Sequence, residues 1–180
     1  MPIRSLSALL VCALTVAGCR EVPILTSPVV VPADVPRGAV RADIVQEPLG
    51  ADGSVTFVVR VRTRDRALSA FQGVVTFSAG AFELVDVTAT DRGGETRLFN
   101  EEEFAHGRIR FAAMTPTTFA SAPEEGIEAF RFTVRPLRAV AEADLEAKLE
   151  VASEEDGVAL DVGSFLVSRL LRASGEGRSK

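Results

Sequence analysis

The sequence predicts an all-β protein, a sandwich made of two packed β-sheets. Three observations lead to this fold class. Apolar residues recur at every second position through much of the chain, which is the period of a half-buried strand. Turn signals separate these stretches at intervals of roughly ten to twenty residues. Hydrophobic residues make up 47% of the 180 residues, which is enough to fill a core between two sheets.

The first four predicted strands follow from this alternation. A turn at Asp52-Gly53 separates a strand over residues 40–46 from one over residues 54–62, which predicts a hairpin. A third strand covers residues 71–77, and a strand with mixed faces follows over residues 82–87. In the second of these strands, the apolar positions that share the buried face are Val55, Phe57, Val59 and Val61.

Three further strands are predicted beyond residue 100. Residues 108–113 alternate arginine with apolar residues, and residues 127–134 place phenylalanine at alternate positions. A last strand is predicted over residues 164–171, after a turn signal at Asp156-Gly157.

The segment between these last two strands can be interpreted in two ways. Residues 139–150 are rich in Ala, Glu and Leu, which favours a helix. Apolar and charged residues nevertheless alternate from Leu145 to Val151, which favours a strand with both of these residues on its buried side. We predict a strand over residues 144–152, because the sheets need partners, and a short helix over residues 139–143 stays open.

The N-terminal residues predict export and a lipid anchor. Residues 1–18 carry one charge, Arg4, before an apolar stretch shorter than the roughly 20 residues that span a membrane. They end in Val16-Ala17-Gly18 before Cys19, which resembles the bacterial lipobox. The resemblance implies that Cys19 is lipidated and becomes the mature N-terminus. The alternative is an ordinary secretory signal with a chance cysteine.

Two consequences follow from a lipidated N-terminus. Cys12 would be removed and Cys19 would carry lipid, so the mature chain would have no thiol for a disulfide and would depend on its core. Position 20 is Arg rather than the Asp that resembles an inner-membrane retention signal. The expected location is therefore the cell envelope, with the outer membrane (periplasmic or surface face) favoured over the inner membrane.

The sequence divides into four predicted parts. Residues 1–18 are a lipoprotein signal peptide, and residues 19–38 are the lipidated cysteine with a proline-rich tether. Four prolines in the tether favour extended polyproline geometry, although residues 29–31 would also suit an N-terminal edge strand. Residues 39–172 form the β-sandwich, and residues 173–180, composed mainly of Gly, Ser and charged residues, form a flexible tail.

The order of the predicted strands resembles the cohesin domain and the wider sandwich superfamily of cohesin-like and carbohydrate-binding modules. The matching stretches are residues 55–61, 70–77, 82–87, 107–112 and 126–134. The resemblance implies about nine strands with a jelly-roll-like topology, and non-catalytic recognition of a protein or a polysaccharide. Where cohesins usually have Tyr-Asp-Pro, this chain has Phe77-Ser78-Ala79, so no dockerin-contacting residues are carried over.

The composition argues against several function classes. The net charge of −5 does not attract a phosphate backbone, so we expect no nucleic-acid partner. The chain has no Trp or Tyr, which removes the usual platforms for stacking on sugars or bases. One His and two Cys leave no set of nucleophile, base and orienting residue. We therefore predict no catalytic residues, no metal site and no cofactor.

Two arginines are candidate binding residues. Arg60 and Arg62 share the outer face of a predicted strand, and Arg64 and Arg66 continue the spacing. They would form a basic ridge on an acidic protein, able to contact an anionic polymer or a partner's carboxylates. The alternative is an ordinary polar sheet face.

Phe119 is the third candidate binding residue. It lies at the centre of a long predicted loop over residues 114–126, and an exposed phenylalanine there could anchor a partner or lie over a sugar. It could equally fold back onto the core. Phe99 and Phe104 are the other phenylalanines expected in loops or at edges, because the phenylalanines of the predicted strands lie on apolar stripes.

We interpret the acidic clusters of the sequence as solvent-exposed surface. Glu residues at 101–103 lie close to His106, which could suggest a metal site or an acid/base pair, but a solvated loop is favoured. The clusters at residues 124–125 and 154–156 are interpreted as surface charge, with calcium on these loops as a minor alternative.

These features predict a non-catalytic, lipid-anchored, cohesin-like binding module on the bacterial cell envelope. Its expected partner is a dockerin-like protein or another envelope protein, and its lipid provides the membrane contact. One alternative is polysaccharide binding associated with polysaccharide catabolism. Another is a structural envelope lipoprotein that packs against a larger assembly.

Overall fold

The computed structural model describes residues 35–89, 95–119, 126–138, 145–160, 165–166 and 170–172. The predicted signal peptide, nearly all of the tether and the tail therefore lie outside the described residues, as does the possible helix over residues 139–143. Within these ranges, no helix has the length and apolar character needed to cross a membrane.

Most of the described residues lie in β-strands. One short 3-10 helix, Glu101–His106, is also present among them. The strands are β1 (Val40–Gln46), β2 (Val55–Thr63), β3 (Leu68–Phe77), β4 (Phe82–Thr88), β5 (Thr96–Asn100), β6 (Arg108–Met114), β7 (Ile127–Pro136), β8 (Leu145–Glu154), β9 (Phe165–Leu166) and β10 (Leu170–Arg172).

The strands form two sheets. Sheet I has the order β10-β1-β2-β7-β4, and sheet II has the order β5-β6-β3-β8. Both β9 and β10 pair in parallel with β1, on the edge that β2 does not occupy. All other pairs are antiparallel. The predicted two-sheet sandwich with jelly-roll-like topology and about nine strands is confirmed.

The hairpin between β1 and β2 forms at the predicted turn. Gly53 adopts a positive φ of 79°, a conformation that glycine takes at low cost. The Asp52 carboxylate accepts hydrogen bonds from the Ser54 hydroxyl at 2.6 Å and from the Ser54 amide at 3.0 Å. These bonds stabilise the ionised carboxylate and lower the pKa of Asp52.

The core lies between the inner faces of the two sheets and is rich in phenylalanine. The predicted stripe of β2 is fully buried, and Val58, which breaks the alternation, is buried as well. The Phe130 ring lies 5.0 Å from Phe111 and 5.2 Å from Phe99 on sheet II, and 5.9 Å from Phe132 on its own strand. These ring contacts join the two sheets across the sandwich.

A buried arginine completes the interior near β7. Arg97, on β5, is almost fully buried and forms an ion pair with Glu95 at 2.5 Å. Its Nη1 donates hydrogen bonds to the carbonyl oxygens of Glu128 and Ala129, at a bulge where the register of β7 shifts against β2. Arg97 thus satisfies carbonyl groups at a point where the ladder is irregular.

Residues 101–106 form a 3-10 helix rather than the expected loop. The Asn100 side chain accepts a hydrogen bond from the Glu102 amide at 3.1 Å and caps the first turn. Gly107 ends the helix at a φ of 72°, and its amide donates to the Phe104 carbonyl at 3.0 Å. A Cβ at this position would overlap the backbone carbonyl oxygen of Phe77.

Gly107→Ala is expected to lower the free energy of unfolding by about 3 kcal/mol or more, because steric overlap adds to the strain of a left-handed backbone. Gly53→Ala is the matched control, since its φ is similar but no atom lies within 4 Å of the added Cβ. It should cost only about 1 kcal/mol. Urea unfolding measures both, and equal losses would contradict the close approach at Gly107.

Candidate functional site

The outer face of sheet I carries arginines and carboxylates in alternation. Arg60 on β2 is paired in register with Asp43 on β1 and with Glu128 on β7. The Nε atom of Arg62 lies 2.8 Å from Oδ2 of Asp43, and Arg41 Nε donates to Oδ1 of the same carboxylate at 2.6 Å. The Asp43 side chain is fully buried (0% exposed) among these groups.

The charge on this face is balanced rather than basic. Arg131 on β7 donates to Glu128 at 2.7 Å and to Glu47 at 2.6 Å. The hydrogen bond to Glu128 is the main reason that the pKa of Arg131 is raised. Arg66, further along the spacing, forms an ion pair with Glu154 at 3.1 Å. The expected basic ridge is corrected, because neighbouring strands place acidic residues beside the arginines, and the ordinary polar face is the better description.

Asp43→Asn is expected to lower the free energy of unfolding by about 3 kcal/mol, because buried arginine charge would lose its compensating carboxylate. Glu83→Gln is the control. Its carboxylate pairs with Arg135 at 2.9 Å in an exposed position, where we expect a change within about 1 kcal/mol. Chemical denaturation at neutral pH compares the two variants, and a loss at Asp43 no larger than that at Glu83 would contradict this role.

Phe119 packs into the core instead of facing solvent. Its side chain is 7% exposed, and its ring centroid lies 5.0 Å from that of Phe71. Its amide donates to the Leu68 carbonyl at 2.9 Å, and the Arg97 guanidinium lies 5.9 Å from its ring centroid. Of the two interpretations of Phe119, the structure shows the one in which it folds back, so it is not an exposed anchor for a partner.

The outer face of sheet II carries apolar residues on β5, β6 and β8, with the polar Gln72 of β3 between them. Leu98 on β5 pairs with Ala112 on β6, Ala112 with Gln72 on β3, and Gln72 with Val151 on β8. Residues paired in register point to the same side of a sheet. Leu98 is 54% exposed, Val151 48%, and Met114, two positions beyond Ala112, 49%. We call Leu98, Ala112, Met114 and Val151 the sheet II apolar face.

A bulge places Val151 on this face. The register of β8 against β3 passes from Leu149 opposite Gly73 to Val151 opposite Gln72, which leaves Glu150 as an extra residue. The extra residue reverses the alternation, so Val151 points outward. The expectation that Val151 belongs to the buried stripe is therefore wrong, although Leu149 is buried as expected.

Charged groups border the sheet II apolar face. Arg110 lies 3.3 Å from Glu103 and 3.4 Å from Glu150, and the Gln72 amide donates to Glu150 at 3.2 Å. An apolar centre with a polar border is the usual composition of a protein interface. Sequence alternation alone did not reveal this site, because β5 was not predicted and the bulge in β8 gives no local signal.

The carboxylates in the described ranges do not gather into a metal site. Within these ranges, no three His, Cys, Asp or Glu side chains are grouped closely enough to hold a metal ion. Glu101, Glu102 and His106 are exposed around the 3-10 helix, and Glu103 pairs with Arg108 at 3.3 Å and with Arg110. The acidic cluster is therefore a solvated and partly ion-paired surface.

The architecture is that of a cohesin-like β-sandwich. A cohesin from Clostridium thermocellum, solved as the Coh-OlpA-Doc918 cohesin–dockerin complex, matches with a TM-score of 0.50 at 13% identity. The match covers 75% of this chain and 99% of that chain, and it shows a shared fold.

Two further solved structures are similar at a lower score. The cohesin module of a family 33 glycoside hydrolase from Clostridium perfringens has a TM-score of 0.47 at 11% identity, covering 73% of this chain and 98% of that chain. A non-cellulosomal cohesin from the archaeon Archaeoglobus fulgidus has a TM-score of 0.47 at 14% identity, covering 77% and 92%. No protein-family profile and no curated protein matches the sequence.

Proposed function

We propose that this chain is a non-catalytic module that binds another protein through the sheet II apolar face. The observation that supports this proposal is the group of exposed large apolar residues, Leu98, Met114 and Val151, on strands β5, β6 and β8 of one sheet. Scattered apolar residues are common on protein surfaces, whereas a contiguous apolar patch with a polar border marks an interaction surface. A flat sheet face of this kind offers area for a protein rather than a pocket for a small substrate.

The partner proposed first is a dockerin-like protein. The matched Clostridium thermocellum cohesin was solved in complex with a dockerin, and its fold is shared by this chain. A different protein of the cell envelope is the other candidate, because the Tyr-Asp-Pro of cohesins is replaced here by Phe77-Ser78-Ala79. Both candidates would contact the same apolar face.

Polysaccharide binding has less support. Sugar recognition on a sheet surface depends on exposed aromatic rings. The ten phenylalanines before Phe165 are all buried or half-buried in the described structure, and the sequence has no Trp or Tyr. A structural role in a larger envelope assembly would use the same face and differs only in the permanence of the contact.

The double variant Leu98→Asp/Val151→Asp tests the proposed face. Both side chains are exposed, so the fold should persist, while charge on an interface that must lose water should weaken binding about tenfold or more. Leu49→Asp/Val158→Asp is the matched control, since these residues are 55% and 56% exposed but lie off the face. Wild type and both variants are immobilised, with circular dichroism confirming their fold.

Purified dockerins and the envelope and secreted proteins of the source cell are then passed over the three immobilised proteins. We expect one or more proteins to bind the wild type and the control but not the face variant. A set of retained proteins that is unchanged in the face variant would contradict the proposal.

We propose that a lipid on Cys19 holds the module at the outer membrane of the envelope. The support is the Val16-Ala17-Gly18-Cys19 sequence after a short apolar stretch. Cys19→Ala should abolish incorporation of labelled fatty acid and move the protein out of the membrane fraction, because the lipid supplies the membrane affinity. Cys12→Ala is the control and should leave both unchanged. Membrane association that survives Cys19→Ala would refute the anchor.

A further inference from the structure

A groove runs along the side of the sandwich where β4 and β5 are the last strands of their sheets. It encloses about 600 Å³ between the two sheet edges and the 3-10 helix. Its apolar lining includes Phe82, Leu84 and Val87 from β4, Phe99 from β5 and Phe104 from the helix. The opposite side of the sandwich places β1 beside β8.

The edge of β4 is open to pairing. Within the described ranges, β4 pairs only with β7, so the backbone groups on its other side have no strand partner. The register of β4 shifts at Val85, which is exposed together with Leu137 at the mouth of the groove. An open edge beside an apolar groove suits an extended peptide, and the bulge limits the pairing to a short segment.

The border of the groove is acidic. Glu83, Asp86 and Glu101 all line it. Glu83 is already paired with Arg135 at 2.9 Å, whereas Asp86 and Glu101 are exposed and form no ion pair with another described residue. A partner that places a cation beside these two carboxylates would gain charge complementarity.

We infer that this groove binds a short extended segment of a protein partner in which a large apolar residue adjoins lysine or arginine. The apolar side chain would enter between Phe82 and Phe104, and basic side chains would lie at the acidic border, beside Asp86 or Glu101. The segment's backbone would pair with the free edge of β4. This second site is separate from the sheet II apolar face, which lies on the outer surface of β5, β6 and β8.

The probe is the peptide Lys-Val-Phe-Lys-Val, with Glu-Val-Phe-Glu-Val as its charge-reversed counterpart. Amide chemical shifts of the isotope-labelled chain are followed by NMR during titration to about 1 mM peptide, the weak end of measurable affinity. We expect the basic peptide to shift signals of β4, β5 and the 3-10 helix. The acidic peptide should bind at least about tenfold more weakly.

Asp86→Asn/Glu101→Gln should weaken the basic peptide about five- to thirtyfold, the loss expected from two exposed ion pairs. Glu146→Gln/Glu155→Gln removes the same charge from exposed positions outside the groove and should leave the affinity unchanged within about twofold. Ala105→Trp, at an exposed position of the groove lining, should obstruct entry and abolish the shifts.

Three results would each overturn this inference. They are the absence of shifts in the groove at the highest peptide concentration, equal binding of the two peptides, and shifts confined to the sheet II apolar face. Because the capture experiment on that face uses different residues, its failure leaves the groove inference standing, and the reverse also holds.

Discussion

Packing of phenylalanine rings between the two sheets is the interaction on which the rest of this structure depends. Phe111 of sheet II lies 5.0 Å from Phe130 of sheet I, and Phe57 lies 5.2 Å from Phe132 within sheet I. Each such ring contributes roughly 1.5 to 3 kcal/mol when it leaves water. The inner positions of the strands are therefore committed to the core, and even Phe119 from the β6–β7 connection joins it.

Because the inner positions fill the core, the surfaces available for binding are the two outer faces and the side of the sandwich where β4 and β5 are the edge strands. The outer face of sheet I is neutralised internally, because Asp43, Glu128 and Glu47 take up arginine charge. The outer face of sheet II is the contrasting surface, where Leu98 and Val151 are exposed to solvent. The strands of both sheets have apolar residues at their inward-facing positions. The two outer faces differ in the residues at the outward-facing positions.

The alternation of apolar and polar residues was sufficient to predict the sandwich. In β2, β6 and β7 the buried positions can be recognised from the sequence of the strand itself. The features that the alternation did not predict depend on contacts between segments that are distant in the sequence. The bulge that turns Val151 outward depends on the register against β3, and Arg97 is buried because β7 offers it unpaired carbonyls. The balance of charge on the outer face of sheet I likewise depends on which acidic residues β1 and β7 place beside its arginines.

The central claim is that the outer face of sheet II contacts a protein partner. Hydrogen exchange of the wild-type chain, free and bound to a protein that it captures, tests this claim most directly. The edge strand Leu145–Glu154 is the most informative segment, because it carries Val151, pairs with one neighbouring strand and does not line the groove. We predict slower exchange there on binding and no change in β1 or β2. Slower exchange confined to sheet I, with β8 unaffected, would contradict the account.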